Sequence, residues 1–225
     1  MDALQILFVD ADLVVVNKPS GLLVHRGWAN DDDVAMFRVR DMLGAHVYPV
    51  HRLDRGTSGA LCFARTPEAA ALLGERFASR QVDKRYLALV RGEPAASGTI
   101  DHPIPKSAEK GAGGPRVPAV TRYELIARSP VDRCSLVLAI PETGRGHQVR
   151  RHLRHLGHPL VGDVNYGRGE INRRYRAEYG LHRLALHAHA IAFAHPVTGA
   201  TVAVTAPVPD DLGLPLTRLA LPRTV

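Results

Sequence analysis

Apolar residues follow two rhythms along this chain, and the changes between them predict its elements. Ile6 to Phe8 and Leu13 to Asn17 are short runs on either side of Asp10-Ala11-Asp12; the second carries three consecutive valines, and together they read as a pair of strands. Pro19 and Gly21 then impose a turn, after which Leu22 to His25 runs along a sheet edge or into a cleft. Within residues 33–44, Val34, Phe37 and Leu43 lie at helical intervals and Gly44 supplies a C-terminal cap. Ala60 to Ala64 is strand-like. Thr66 precedes a helix over residues 67–82 in which Pro67 takes the first helical position and Glu68 the first turn. Tyr86 to Arg91 predicts another strand.

Residues 92–118 are poor in apolar side chains and rich in Gly and Pro, which predicts an inserted flexible loop, with 104–118 its most irregular part. Thr121 to Ala127 and Cys134 to Ile140 read as paired strands around a Ser-Pro-Val-Asp turn. A Gly-rich entry leads into a helix from about His147 to Leu156, stopped by Gly157 with Pro159 beyond. Residues 163–180 are polar with no clean period. Strands around His-Pro-Val-Thr-Gly at 195–199 follow, and the last fifteen or so residues form a weaker terminal segment. Strands and helices mix without regular alternation. That predicts an α+β fold with a mixed, largely antiparallel sheet and flanking helices in one domain over 1–225.

Composition narrows the class. The formal net charge is +7, and 25 of the 29 basic residues are Arg. The guanidinium fork matches phosphate oxygens and stacks on bases, so the bias fits a nucleic-acid partner, although a G+C-rich genome produces it too. Cys62 and Cys134 are too few for a disulfide scaffold and sit in strand-like flanks, so both read as core thiols. The N-terminus lacks a basic region before a long apolar run, and no apolar stretch reaches the roughly 18 residues of a membrane span. A cytoplasmic location away from membranes is expected.

Chemistry points to Pro-Val-His-Arg-Leu-Asp-Arg-Gly-Thr-Ser-Gly at 49–59, where one acid, Asp54, stands between Arg52 and Arg55. Its glycines form neither a phosphate loop nor a dinucleotide fingerprint, and Ser58 lacks a nucleophile elbow. His147, His152, His155 and His158 lie close in sequence, with His187, His189 and His195 downstream. No acid completes a zinc motif, and the surrounding arginines oppose a cation, so no metal is expected. Residues 145–183 hold nine Arg against Asp163, Glu170 and Glu178, with Tyr166, Tyr175 and Tyr179 interleaved. On a helix, Arg150 and Arg154 share a face and Arg151 points elsewhere. The stretch suits a phosphate backbone with bases stacked on aromatics. An ionised Asp54 can serve as nucleophile or base. From the residues alone a nuclease, a glycosyl-transforming enzyme and a simple RNA binder all remain open.

The blocks HRLDRGTSG at 51–59, KRYLALV at 84–90, TGRGHQVRRHLRHLGHPLVGD at 143–163 and RLALHAHAIAFAHPVTG at 183–199 closely resemble, in this order, the RluA-type RNA pseudouridine synthases. The resemblance starts at NKPSG, 17–21, and covers most of the chain. It implies the pseudouridine synthase catalytic fold, no cofactor, and isomerisation of a uridine within RNA. The N1–C1′ bond breaks, the base turns, and C5 joins C1′. Asp54 matches the catalytic residue, acting by attack on the sugar or by abstraction of its 2′ proton. Tyr86 matches the residue that stacks on the target base. Arg150 matches the basic partner of the catalytic acid, with Arg145 as its rival. Arg52 matches the residue that displaces or holds the flipped nucleotide, in keeping with the extrusion that chemistry on a base requires. Arg55, Thr57, Arg145, His147, Gln148, Arg151 and Arg154 complete the expected substrate contacts.

Finer similarity lies in SGLLVHRGW at 21–28, PAVTRYE at 118–124 and the double arginine of GHQVRRHLRHL. It points to a bacterial branch that modifies uridine 65 of tRNA. Other branches act on ribosomal RNA, including 23S, or on the tRNA anticodon stem. The chain starts at the catalytic segment, so no S4-like RNA-binding module is expected, and the enzyme is expected to be a monomer. Gly56 departs from relatives that carry Asp, Glu, Ala or Pro there. A non-catalytic RNA-binding protein is the alternative of another class.

Overall fold

Continuous apolar runs can be buried on both faces of a sheet, whereas alternating runs leave one face to solvent. The computed structural model describes residues 4–26, 31–106 and 114–223. Where one domain was expected, the chain divides into two compact units, Met1–Lys84 with Ala188–Pro207, and Arg85–His187 with Val208–Val225.

In the first unit, β1 (Gln5–Val9) and β2 (Leu13–Lys18) pair antiparallel. Asp10 Oδ1 shapes their turn by accepting from the N–H groups of Asp12 and Leu13. The helix α1 (Ala35–Leu43) ends on Gly44, whose φ of 62° is the left-handed cap expected of that glycine. After β3 (Tyr48–Pro49), β4 (Ser58–Ala64) is buried along its whole length and pairs antiparallel with β2, from Leu13 opposite Ala64 to Lys18 opposite Gly59. The next helix, α2 (Pro67–Ala78), is capped by Thr66, whose Oγ1 accepts from the Ala69 N–H at 3.1 Å. It stops four residues short of the expected end.

The second unit begins within β5 (Asp83–Arg91). It continues through β6 (Ser97–Asp101), β7 (Ile104–Pro105), β8 (Arg116–Val117), β9 (Val120–Arg128) and β10 (Cys134–Pro141). The order β5-β10-β9-β6 is antiparallel throughout, and β7 with β8 makes a separate two-stranded hairpin. Within the 92–118 segment, expected as a loop, residues 97–101, 104–105 and 116–117 are paired strand; residues 107–113 lie outside the described residues. β6 escapes pattern reading because it is an edge strand that buries only Ile100.

Two helices follow, α3 (Gln148–His155) close to expectation and α4 (Gly169–Tyr179) where no period was evident. Ile171, Tyr175 and Tyr179, four residues apart, are the α4 stripe that meets the core. β11 (Leu186–Ala194) pairs through its first-unit part with β12 (Thr201–Thr205). The chain ends in α5 (Asp210–Arg218), a helix despite Pro215, because Leu212, Leu216 and Leu219 bury against Leu87, Leu136 and Tyr175. The fold is thus α+β, with largely antiparallel strands and flanking helices. Cys62 and Cys134 are buried free thiols. No helix among the described residues is long and apolar enough to cross a membrane.

Candidate active site

Asp54 lies on the connection between β3 and β4, where Pro49 and the start of β4 leave eight residues to reverse direction. The Thr57 N–H donates to the Asp54 carbonyl at 3.0 Å, closing a turn with Arg55 and Gly56 at its corner. The 17–21 turn cradles that corner. The Gly21 N–H donates to the Arg55 carbonyl at 2.8 Å, Ser20 Oγ donates to the Gly56 carbonyl at 2.8 Å, and Arg55 Nε returns a bond to the Gly21 carbonyl at 2.9 Å. Gly56 is accommodated through its carbonyl. Two segments that the sequence shows as separate motifs are one hydrogen-bonded unit.

Lys18 lies beneath them, fully buried, and sequence reading took it only as a turn neighbour. Its ammonium donates to the carbonyls of Pro19, Leu22 and Arg55 at 2.9, 2.7 and 3.3 Å. Three N–H groups thus meet three oxygens, the condition under which a buried ammonium is tolerated. Lys18→Met is expected to cost about 3 kcal/mol, since it strips donors from carbonyls that burial keeps from water. Urea denaturation checks this, and a loss below about 0.5 kcal/mol would remove Lys18 from the support of the Asp54 turn.

His51 and Gly59 fix the two ends of the same connection. The Cys62 N–H donates to His51 Nε2 at 2.9 Å, and the ring stacks on Phe77 at 4.7 Å. Burial, aided by the charge of Lys84, pushes the His51 pKa down to about 3, so the imidazole is neutral with its proton on Nδ1. Gly59 has φ of 113°, and any Cβ there would collide with the Ala188 carbonyl. Asp54 itself is half-buried, Arg52 is exposed, and Arg55 reaches Asp31 at 3.3 Å. Thr57 is buried under the turn with Oγ1 unpartnered among the described residues.

In the second unit, Tyr86 stands opposite Ala139 of β10 and packs half-buried against the cluster containing Ala88, Val90 and Val137. The Gly-rich entry to α3 is held by Gln148. Its Oε1 accepts from Thr143 Oγ1 at 2.6 Å and the Arg145 N–H at 3.0 Å. Its Nε2 donates to the Val120 carbonyl and to Thr121 Oγ1 at 2.9 and 3.0 Å. Those four bonds exhaust the amide, so the expected substrate contact through the Gln148 side chain is corrected to a structural one. His147 caps the helix with φ of 55°, and its Nδ1 lies 3.0 Å from the Tyr166 hydroxyl.

Arg150 is buried and forms a two-pronged pair with Asp163, Nε to Oδ2 at 2.8 Å and Nη2 to Oδ1 at 2.9 Å. Asp163 Oδ1 also accepts from the N–H groups of Asn165 and Tyr166 at 2.9 and 3.0 Å. Burial opposes the charge on Asp163, but the Arg150 fork and these N–H groups outweigh it and hold the carboxyl below its usual range. The Arg150 guanidinium also lies over the Tyr166 ring at 5.1 Å. Asp163 was missed because nothing in its local sequence names a partner thirteen residues back. Arg151 donates from Nε to the Tyr166 hydroxyl and from Nη1 to the Pro105 carbonyl, both at 2.8 Å. Arg145 and Arg154 are exposed.

Two of the clustered histidines, His152 and His158, are hydrogen-bonded packing groups. His152 Nδ1 lies 2.9 Å from Thr121 Oγ1 and Nε2 lies 3.0 Å from the His102 carbonyl, while His158 Nδ1 lies 2.9 Å from the Arg91 carbonyl. One group among the described residues has metal-like spacing, Asp10, Asp12 and His195. However, His195 Nδ1 accepts from the N–H groups of Val197 and Thr198 at 3.2 and 3.1 Å, which leaves the proton on Nε2, 3.0 Å from Asp10 Oδ2. A metal needs that nitrogen's lone pair, so the donor set fits a proton and not a cation.

A family model described as RNA pseudouridylate synthase matches residues 12–155. Curated relatives named tRNA pseudouridine synthase C include one from Pasteurella multocida, 45% identical over 91% of each chain, and one from Haemophilus ducreyi, 42% identical over 90% of each. Among solved structures, human RNA pseudouridylate synthase domain containing 1 has a TM-score of 0.76 at 31% identity, covering 93% of this chain and 86% of its own. Human RNA pseudouridylate synthase domain containing 4 has a TM-score of 0.78 at 28% identity, covering 98% and 95%.

Proposed function

The chain belongs to the RNA pseudouridylate synthase family, as an RluA-type enzyme, and from that premise we propose that its substrate is tRNA and its target uridine 65. Isomerisation of uridine within RNA is the activity of the family. The tRNA substrate rests on one observation, the 45% identity over 91% of both chains to a relative named tRNA pseudouridine synthase C; uridine 65 rests on the resemblance carried by residues 21–28, 118–124 and the double arginine at 150–151.

In this reading Asp54 is the reacting carboxylate. The turn that carries it, tied to the 17–21 segment through Lys18, Ser20 and Gly21, supports the role, because a group that attacks a sugar carbon or removes its 2′ proton needs a fixed backbone. The N1–C1′ bond breaks, the base turns, and C5 bonds to C1′; N1 gains a proton as C5 loses one. Tyr86 is the stacking platform for the base and Arg52 braces the extruded nucleotide. Arg150, oriented by Asp163, supplies the positive charge that serves the reacting carboxylate. Arg55, Thr57, Arg145, His147, Arg151 and Arg154 are proposed as the wider contact set.

Mapping pseudouridine at single-nucleotide resolution in total tRNA and rRNA tests the substrate, using a deletion strain complemented with wild type or with Asp54→Asn. Loss at tRNA uridine 65, restored by wild type alone, is expected. Loss at an rRNA or anticodon-stem uridine instead would keep the reaction and overturn the proposed target.

A further inference from the structure

The mechanism makes no use of a cationic cluster beside the β7–β8 hairpin of the second unit. The His102 and His155 rings stack at 3.7 Å with 14° between their planes. Arg116, at the start of β8, places Nη2 2.8 Å from His102 Nε2 and donates from Nε to the Pro103 carbonyl at 2.8 Å. A guanidinium only donates, so His102 Nε2 must accept, and the neutral ring carries its proton on Nδ1. Arg116 Nη1 has no partner among the described residues, and no carboxylate there forms an ion pair with Arg116. Two of the three guanidinium nitrogens are thus pinned to the hairpin, leaving a preoriented donor edge with no acid among the described residues to satisfy it.

The charges around His102 are His155 and His152 from α3, Arg116 from β8 and Asp101 at the end of β6. Desolvation, followed by the positive influence of His155 and Arg116, holds the His102 pKa below its ordinary 6.5. An anion at this cluster would reverse that balance. Arg151, on the same face of α3 as His155, reaches the adjoining Pro105 carbonyl, so the cluster continues the basic α3 surface.

We propose that Arg116, His102 and His155 form an auxiliary site that holds a backbone phosphate of the RNA and takes up a proton on binding it. The inference rests on the protein being an RNA enzyme and adds a contact outside the reacting residues. Arg116 Nη1 and the imidazole N–H groups donate to the phosphate oxygens, and His102 takes its proton from solvent. Protonation of His102 at Nε2 ends its bond from Arg116 Nη2 and turns that donor, too, toward the anion.

The test is the affinity of the full chain for a fluorescent unmodified tRNA transcript, measured by anisotropy from about pH 5.5 to about pH 8 and over a range of salt. Wild-type affinity should fall as pH rises through the imidazole range. His102→Phe, which keeps a stacked ring, should flatten that dependence. Arg116→Ala should weaken binding about tenfold and lower the salt slope by about one. Arg133→Ala controls for net charge and should leave the slope unchanged. Thermal melts verify folding, and should Arg116→Ala not fold, His155→Phe replaces it with weaker binding as the expected result. A wild-type pH profile in His102→Phe, or a wild-type slope in Arg116→Ala, would overturn the site. Isomerisation by wild type on the same transcript separates the two readings: turnover with no effect of these substitutions removes only the auxiliary site, whereas neither binding nor turnover on any RNA removes both.

Discussion

Asp54→Asn is expected to lower uridine isomerisation by about 10³-fold or more while RNA affinity stays within a few-fold. The expectation follows from how the turn is built. The bond that closes it runs from the Thr57 N–H to the Asp54 backbone carbonyl, and the bonds that anchor it reach the carbonyls of Arg55 and Gly56 from Lys18, Ser20 and Gly21. An amide in place of the carboxylate leaves all of these intact. What disappears is the carboxylate oxygen proposed to attack the sugar or take its 2′ proton, and an amide does neither. Single-turnover measurement of pseudouridine formation, paired with RNA binding and a thermal melt, separates the outcomes. Substantial residual turnover would dismiss Asp54 as the reacting group. A large drop in melting temperature would instead recast it as structural.

The position of Asp54 was legible because motif and turn coincide in eleven consecutive residues. The supports of the site were not, because each is defined by a partner elsewhere in the sequence. Lys18 reads only as part of the 17–21 turn until the Arg55 carbonyl, 37 residues later, is seen to lie against its ammonium. Gln148 reads as a substrate contact until all four of its hydrogen bonds are found inside the second unit. The fold shows the same division. α1, α2 and α3 carry caps or breakers beside a readable pattern, whereas α4, though it too ends on a left-handed glycine, Gly180, sets its apolar stripe of Ile171, Tyr175 and Tyr179 among charged neighbours, and Asn172 and Arg174 tie it to Gly162, Asp163 and Asp132, partners that local sequence does not show. In α5, Pro215 signals against a helix, and burial of Leu212, Leu216 and Leu219 outweighs the backbone bond that proline cannot make. β6 offers one buried residue, too few for an alternation to register.

Asp163→Ala is expected to destabilise the protein by about 3–5 kcal/mol and to slow isomerisation, although Asp163 is not assigned to the chemistry. Removing the carboxylate takes the Asp163 fork from the guanidinium of Arg150, which is only 6% exposed, and also strips an acceptor from the Asn165 and Tyr166 N–H groups. The pH dependence carries a sign. The carboxyl is held low in the folded state, so its stabilisation is fully present above the ordinary aspartate value near 3.9 and is lost as pH falls through the lowered native value. The acid limb of the stability curve should therefore be shallower in the variant than in wild type. A cycle with Arg150→Met isolates the pair: if the fork is what matters, the double variant should lose less stability than the sum of the single losses by about 2 kcal/mol. Simple additivity would show that Asp163 serves the 165–166 backbone and not the arginine. The coupling bears on the proposed role of Arg150 too, since a guanidinium gripped at Nε and Nη2 has one orientation, and that role requires its orientation to be fixed before the nucleotide arrives.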